Sequence, residues 1–421
     1  MAYPINRCSF SVFKNISPKQ IVLKNTFWLV LGQIFIRLFK FLLVIFAARI
    51  LGPESWGSFQ YILSIASIFF IFSDWGISNL LIRDYQQKED FKERICTGSF
   101  IREFLAFVSL LIALIFSLIF ENINFRKTFI ILSLFLFLGN VRSYIESFFQ
   151  AIQKMEKQFI LILIESLITL IFGITLLLIV QDIIVLSYAY LAGVFISFVF
   201  AIFLAKDFLV YFKPKINYEF IKYYLINGFP LALFGMLGFI FFITDQIILG
   251  KLKGVEAVGY YSIATRIILI LVTFPSLFLT SLFPQLALNT SDKGKLKNIF
   301  KKSISFILLI SFLLFIFVLI FADFLTLLFG DRYIQTIQPL KLLSLILLFL
   351  PLTNLLDNFL FSINKQWQDF FVTLFCASLN VVLNFLFIPQ YSIFGAIYAT
   401  LISQFVNLIL TSILSYKYLR Y

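Results

Sequence analysis

Gly52-Pro53-Glu54-Ser55-Trp56-Gly57-Ser58-Phe59 follows the first long apolar run of this chain, and Gly254-Val255-Glu256-Ala257-Val258-Gly259-Tyr260-Tyr261 stands 202 positions later. Both read Gly-x-Glu-x-x-Gly, with an aromatic residue two places on. The offset is close to half of the 421 residues, so a duplicated half-molecule is the simplest origin. Each copy reads as a short polar turn between long apolar segments. Its two glycines supply backbone freedom where one helix stops and the next starts.

The surrounding sequence is too apolar for a water-facing surface. Hydrophobic residues make up 61% and charged residues 13%, and the mean hydropathy is +1.00. A soluble domain is about 45–50% apolar and about 25% charged. Continuous apolar runs of about twenty residues recur to the C-terminus, each long enough to cross a bilayer as a helix. Barrel strands would alternate apolar and polar, which these runs do not. The expected fold is therefore all-α and integral to a membrane. Twelve helices are expected at roughly 26–48, 58–80, 100–120, 128–149, 159–180, 183–205, 223–249, 259–283, 303–322, 338–362, 369–388 and 395–415. They divide the chain into an N-terminal tail (1–25), a six-helix lobe (26–205), a linker (206–222), a second six-helix lobe (223–415) and a C-terminal tail (416–421). Six is an even number, so the two lobes point the same way, related by an axis along the membrane normal with a pathway between them.

Lysine and arginine set the expected orientation. With the N-terminus in the cytoplasm, cytoplasmic segments hold 23 of the 34 basic residues and the opposite side holds 6. That bias places both termini inside. It also accounts for most of the net charge of +13 without an anionic partner, and charges scattered over short loops exclude nucleic acid. The chain has no histidine, and Cys8, Cys96 and Cys376 form no ligand spacing. No metal site or cofactor is expected, and a proton-coupled step must use carboxylates. No loop has room for a catalytic domain, so an enzyme is not expected.

Polar side chains recur at helical spacing within the spans. Thr373, Asn380 and Asn384 share one helix face, and Thr400, Gln404, Asn407, Thr411 and Ser415 share another. Such stripes also serve as plain interhelical hydrogen bonds. Ionisable residues weigh more, because a charge at mid-bilayer costs about 2.5–3.5 kcal/mol even on lenient scales. Arg37 and Lys40 stand one turn apart in the first helix with no carboxylate beside them. With Arg266 and Arg142 they form the candidate wall of a cationic, aqueous cavity. Arg142 and Glu146 are also spaced to neutralise each other, and Lys341 is placed to reach the interface. Asp74, Asp245, Glu146 and Asp357 are the candidate proton- or ion-coupling groups. A positive cavity suits an anionic cargo such as phosphate.

Three stretches carry a resemblance. Leu51-Gly52-Pro53-Glu54 with Gly57-Ser58-Phe59 is the first. Asp245-Gln246-Ile247-Ile248-Leu249-Gly250 with Val258-Gly259-Tyr260-Tyr261-Ser262 is the second, and Leu328-Phe329-Gly330-Asp331-Arg332-Tyr333 the third. Together they resemble the polysaccharide (O-antigen type) flippases, of the superfamily that includes the multidrug and toxin extrusion transporters. The resemblance implies a two-lobed, twelve-helix exporter in the bacterial inner membrane. It implies an undecaprenyl-diphosphate-linked oligosaccharide as cargo, moved to the periplasmic leaflet by alternating access. A polysaccharide polymerase and a chain-length regulator would be its further partners. The competing expectation is a drug or cation antiporter of the same fold, which a negatively charged cavity would favour.

Overall fold

The computed structural model describes residues 18–84, 91–208, 217–288, 293–363 and 365–420. Most of the expected N-terminal tail, the middle of the linker and Tyr421 lie outside them. Among the described residues there are helices and no strands. The first lobe contains α1 (Pro18–Phe70), α2 (Ile77–Asp84), α3 (Phe91–Phe116), α4 (Ile123–Ala151), α5 (Met155–Ile179) and α6 (Ile183–Leu204). The second contains α7 (Tyr218–Lys253), α8 (Val255–Leu288), α9 (Lys293–Leu327), α10 (Ile337–Leu343), α11 (Ile346–Ser362), α12 (Gln366–Tyr391) and α13 (Ile393–Arg420).

Ten helices are long and apolar enough to cross a membrane, or eleven with α10 and α11 taken as one broken span. The first of these, Phe27–Ser73, has 47 residues, about twice what one crossing needs. Gly52 breaks it, at φ 75° and ψ 174°. That conformation is essentially reserved for glycine. Divided there, and with α10 and α11 taken as one, the described residues hold twelve segments long and apolar enough to cross. Gly254, the matching residue of the second copy, turns the same corner at φ 90° and ψ 166° between α7 and α8.

The other glycine of each copy corrects the sequence reading. Gly57 and Gly259 do not loosen a turn, because both lie within helix. The polar turn is one residue wide, and Pro53 begins the next helical limb, where its missing N–H costs nothing.

Two expected helices are interrupted. The second, at 58–80, breaks after Ser73, where Trp75 (φ 47°) and Gly76 (φ 71°) are left-handed and α2 restarts at Ile77. The Ser73 hydroxyl donates to Phe70 O, offering that carbonyl an alternative to the helix ladder. The span at 338–362 bends by 48° between α10 and α11. There Ser344 Oγ donates to Lys341 O and the backbone tightens to i→i+3 bonds.

Packing within lobes follows the chain: α5 on α6, α1 on α5, α4 on α6, and α12 on α13. Large apolar side chains such as Phe104, Ile115, Leu313, Phe371 and Ile413 point outward, as a surface wetted by lipid requires. Between lobes, α1 packs along α8. The first turns of α7 lean on the first lobe, where Tyr224 Oη donates to Arg94 O and Trp75 Nε1 to Leu225 O. Further along, Leu237 and Phe241 of α7 pack with Phe370 and Cys376 of α12.

Candidate functional site

The two copies of the duplicated stretch meet face to face. A Cβ placed on Gly57 would lie 1.8 Å from Val255 O, and one on Gly259 would lie 2.1 Å from Pro53 O. The contact is reciprocal, since Pro53 and Val255 occupy the same position in the two copies. Only a residue without a side chain lets the backbones approach so closely. From this crossing a ladder of interlobe hydrogen bonds runs inward. Trp56 Nε1 donates to Ser262 Oγ (3.0 Å), Arg266 to Gln60 Oε1 (3.2 Å), and Ser64 Oγ to Gln246 Oε1 (3.0 Å). Arg37 donates to Thr273 Oγ1 and to Leu269 O.

Three cavities open along this ladder. One of about 140 Å³ is lined by Arg37, Lys40 and Arg266 with apolar neighbours. One of about 390 Å³ shares Arg266 and Leu269 with it and adds Gln60, Ser64, Gln246 and Ser262. The third, about 310 Å³, shares Ser67 and Gly235 with the second and reaches Asp74, Asn79 and Asn140. Shared walls place them side by side between the lobes. The first two contain three cations and no carboxylate. Among the described residues, none of Arg37, Lys40 and Arg266 makes an ion pair. Their fields therefore add within a partly dehydrated space.

The third cavity holds the nearest acid. Asp74 faces Arg102 Nε at 3.1 Å and accepts from Ser78 Oγ. Arg102, buried, also donates to Ser78 and Ser143. Its partner Asp74 lies in the break before α2, far off in sequence, so no local spacing marks Arg102.

The remaining expected site residues fall elsewhere. Arg142 lines none of the three cavities. It is buried inside the first lobe, 3.2 Å from Glu146 Oε1 and 2.6 Å from Glu165 Oε2, and donates to Ser197 Oγ. Glu146 is held in the same cluster. The side chain points away from the gap because two carboxylates on its own side of α4 outbid water for the guanidinium. Lys341 pairs with Asp323 at 3.2 Å on a partly exposed surface.

Asp245 is buried within the second lobe. Its carboxylate accepts from Tyr261 Oη (2.6 Å), Thr400 Oγ1 (2.7 Å) and Asn384 Nδ2. Asp357, on α11, lies beside the buried Asp369 in the first turn of α12, a residue whose place in the sequence carries no such signal. The two are joined only by the fold of α11 onto α12.

A family model described as polysaccharide biosynthesis protein matches residues 22–290, well over half of the chain. The chain belongs to that family. A second model, MatE, matches residues 230–386. Among characterised relatives, the capsular polysaccharide biosynthesis protein CapF of Staphylococcus aureus is 24% identical over 403 residues, covering 92% of this chain and 98% of that one. Solved structures share the fold. An inward-facing multidrug resistance MATE transporter of the MOP superfamily superposes with a TM-score of 0.77 at 15% identity, over 91% of this chain and 94% of the other. An outward-facing one gives 0.62 at 15% identity, over 96% of each. A Pyrococcus furiosus MOP-superfamily transporter, described as having a binding pocket of reverse polarity, gives 0.66 at 14% identity over 96% and 97%. The protein is thus a multi-pass membrane protein of a polysaccharide biosynthesis family, with the fold of the MATE transporters.

Proposed function

We propose that this transporter flips an undecaprenyl-diphosphate-linked oligosaccharide from the cytoplasmic to the periplasmic leaflet by alternating access. The observation that carries the reading is the trio Arg37, Lys40 and Arg266 around a space between the lobes, in two cavities that no carboxylate lines. A diphosphate brings the negative charge such a space lacks, and guanidinium groups bind phosphate oxygens in pairs. The neutral amides and hydroxyls of the adjoining cavity, Gln60, Gln246 and Ser262 among them, suit sugar hydroxyls. The lobes touch at the Gly57/Gly259 end, and the fold superposes better on the inward-facing relative than on the outward-facing one. Both support a resting form open to the cytoplasm. The basic-loop bias supports an inner-membrane protein with both termini inside. Asp245, ringed by side-chain oxygens and amides, is the group we assign to ion coupling. The polymerase and chain-length regulator that consume the flipped unit are its proposed neighbours.

A double substitution tests this. Arg37→Gln with Arg266→Gln should abolish surface polysaccharide in a complemented deletion strain, with lipid-linked repeat unit accumulating in the cytoplasmic leaflet and protein level unchanged. Normal surface polysaccharide from that variant would refute the reading. The MatE match and the multidrug transporters of the same fold favour a second reading, export of drugs. Cationic drugs would be repelled by these walls. Changed drug susceptibility on deletion, with intact surface polysaccharide, would favour it.

A further inference from the structure

The third cavity of the gap, about 310 Å³, lies where the second span breaks, and the proposed function leaves it unused. Its volume falls within the roughly 300–1,000 Å³ usual for small-ligand sites. The break itself shapes one wall. Trp75 and Gly76 are left-handed at φ 47° and 71°, and a bulky side chain in that conformation persists only where its surroundings hold it. Here α7 does so. A Cβ on Gly228 would lie 2.3 Å from Trp75 O, and Trp75 Nε1 donates to Leu225 O at 3.2 Å. The indole is thereby fixed at its edge, with the centre of the Phe229 ring 5.7 Å from its own.

The polar groups around this ring are anchored in a way that leaves part of each unused. Asp74 is the one charged residue among the described residues that line the cavity. Its Oδ1 takes both protein contacts, Arg102 Nε at 3.1 Å and Ser78 Oγ at 2.5 Å. Its Oδ2 has no partner among the described residues, and the side chain is 35% exposed. Arg102 already balances its charge, so Asp74 offers the cavity a hydrogen-bond acceptor without a net charge. Asn140 is pinned by its Nδ2 donating to Leu136 O (2.9 Å) and by Ser73 Oγ on its Oδ1 (2.7 Å), which leaves its second N–H. Asn79 is exposed beside them. Acceptors, amide donors and a fixed indole are what a sugar ring needs, since its hydroxyls both donate and accept and its C–H face packs on an aromatic ring.

The cavity is also placed in line with the cationic trio. Gln60, Ser64 and Ser67 line the middle cavity, Ser67 and Asp74 line this one, and Gln60 to Asp74 spans 14 residues, about 21 Å of helix. We infer that the Trp75 cavity is a subsite for an uncharged pyranose, the second sugar from the diphosphate. Arg37, Lys40 and Arg266 take the diphosphate, Gln60 and Gln246 meet the first sugar, and Asp74, Asn79, Asn140 and Trp75 hold the next. A uronic acid at that position would set its carboxylate against Asp74 Oδ2, and like charges repel. The assignment rests on the cargo being a diphosphate-linked oligosaccharide and adds the chemistry of one of its sugars.

The test measures binding to the full-length protein in detergent micelles. Two probes are used: undecaprenyl diphosphate without sugar, and the lipid-linked repeat unit extracted from a deletion strain. Wild type should bind the repeat unit at least about tenfold more tightly than the bare carrier. Asn79→Leu and Asp74→Asn should each weaken the repeat unit about tenfold, the loss of one hydrogen bond, without weakening the bare carrier. Equal weakening of both lipids overturns the subsite, because it marks Asp74 and Asn79 as supports of the lobe. Unchanged binding of the repeat unit also overturns it and leaves the flippase reading standing. If wild type binds neither lipid, the flippase reading fails and the subsite with it. Wild-type protein gives a check independent of variant folding. Amide exchange over residues 71–82 should slow with the repeat unit and not with the bare carrier, and equal exchange with both rejects the subsite. Sugar analysis of the extracted unit should find an uncharged pyranose second from the diphosphate; a uronic acid there refutes the assignment.

Discussion

The interior of the first lobe and the gap between the lobes each hold arginine under opposite conditions. Arg142 is closed in by two carboxylates and a serine hydroxyl, so its charge is spent on structure. Arg266 touches one neutral amide and opens, with Arg37 and Lys40, into space. The second lobe differs, since Asp245 accepts from Tyr261, Thr400 and Asn384 and makes no ion pair among the described residues. Burying charge in a membrane is expensive wherever it occurs. Pairing within one lobe makes it a fixture. Leaving Arg37, Lys40 and Arg266 unpaired in the gap sets them where the proposed anionic cargo would meet them.

The sharpest way to break this contrast is to remove Arg142. Arg142→Ala strands Glu146 and Glu165 in the first lobe, and losing one member of a buried ion pair costs about 3–5 kcal/mol. Thermal melting of the detergent-solubilised variant should drop sharply and its yield fall. A variant as stable as wild type would mean that the cluster takes up protons or water in place of the guanidinium.

Gly57→Leu probes the reciprocal crossing. Overpacking of this kind costs about 1–3 kcal/mol. Here the obstruction is backbone, Val255 O, so the lobes must part rather than repack. Distances between spin labels at Ser55 and Ala257 should lengthen. Unchanged distances would show that the crossing does not hold the lobes together.

At the small end, Lys341→Gln removes a partly exposed pair with Asp323 and should change stability by about 0–1 kcal/mol, leaving surface polysaccharide normal. A large loss there would blur the distinction between structural and functional charge.

Individual residues show how much of this was legible in sequence. The Gly52 and Gly254 corners were marked by a repeat, and a repeat survives in one dimension. Arg37 and Lys40 stood out because no carboxylate stands beside them on their own helix, and Arg266 joined them. Arg142 was a weaker candidate, spaced to pair with Glu146, and it does pair with it. What separates it from Arg266 is the position of Glu165, on another helix. Arg102 and Asp369 were passed over because their partners, Asp74 and Asp357, come from other helices. Gly57 and Gly259 looked like turn residues, and only their approach to the opposite copy gives them a contact role.

Hydropathy alone points to an all-α chain of many membrane spans, because it follows from transfer between water and lipid, and the internal repeat points to two matched halves. The choice of which buried charges are paired and which face the gap came only with tertiary structure. Those outcomes depend on distances of a few ångströms between helices far apart in sequence, and Coulomb attraction and hydrogen bonding act over just that range.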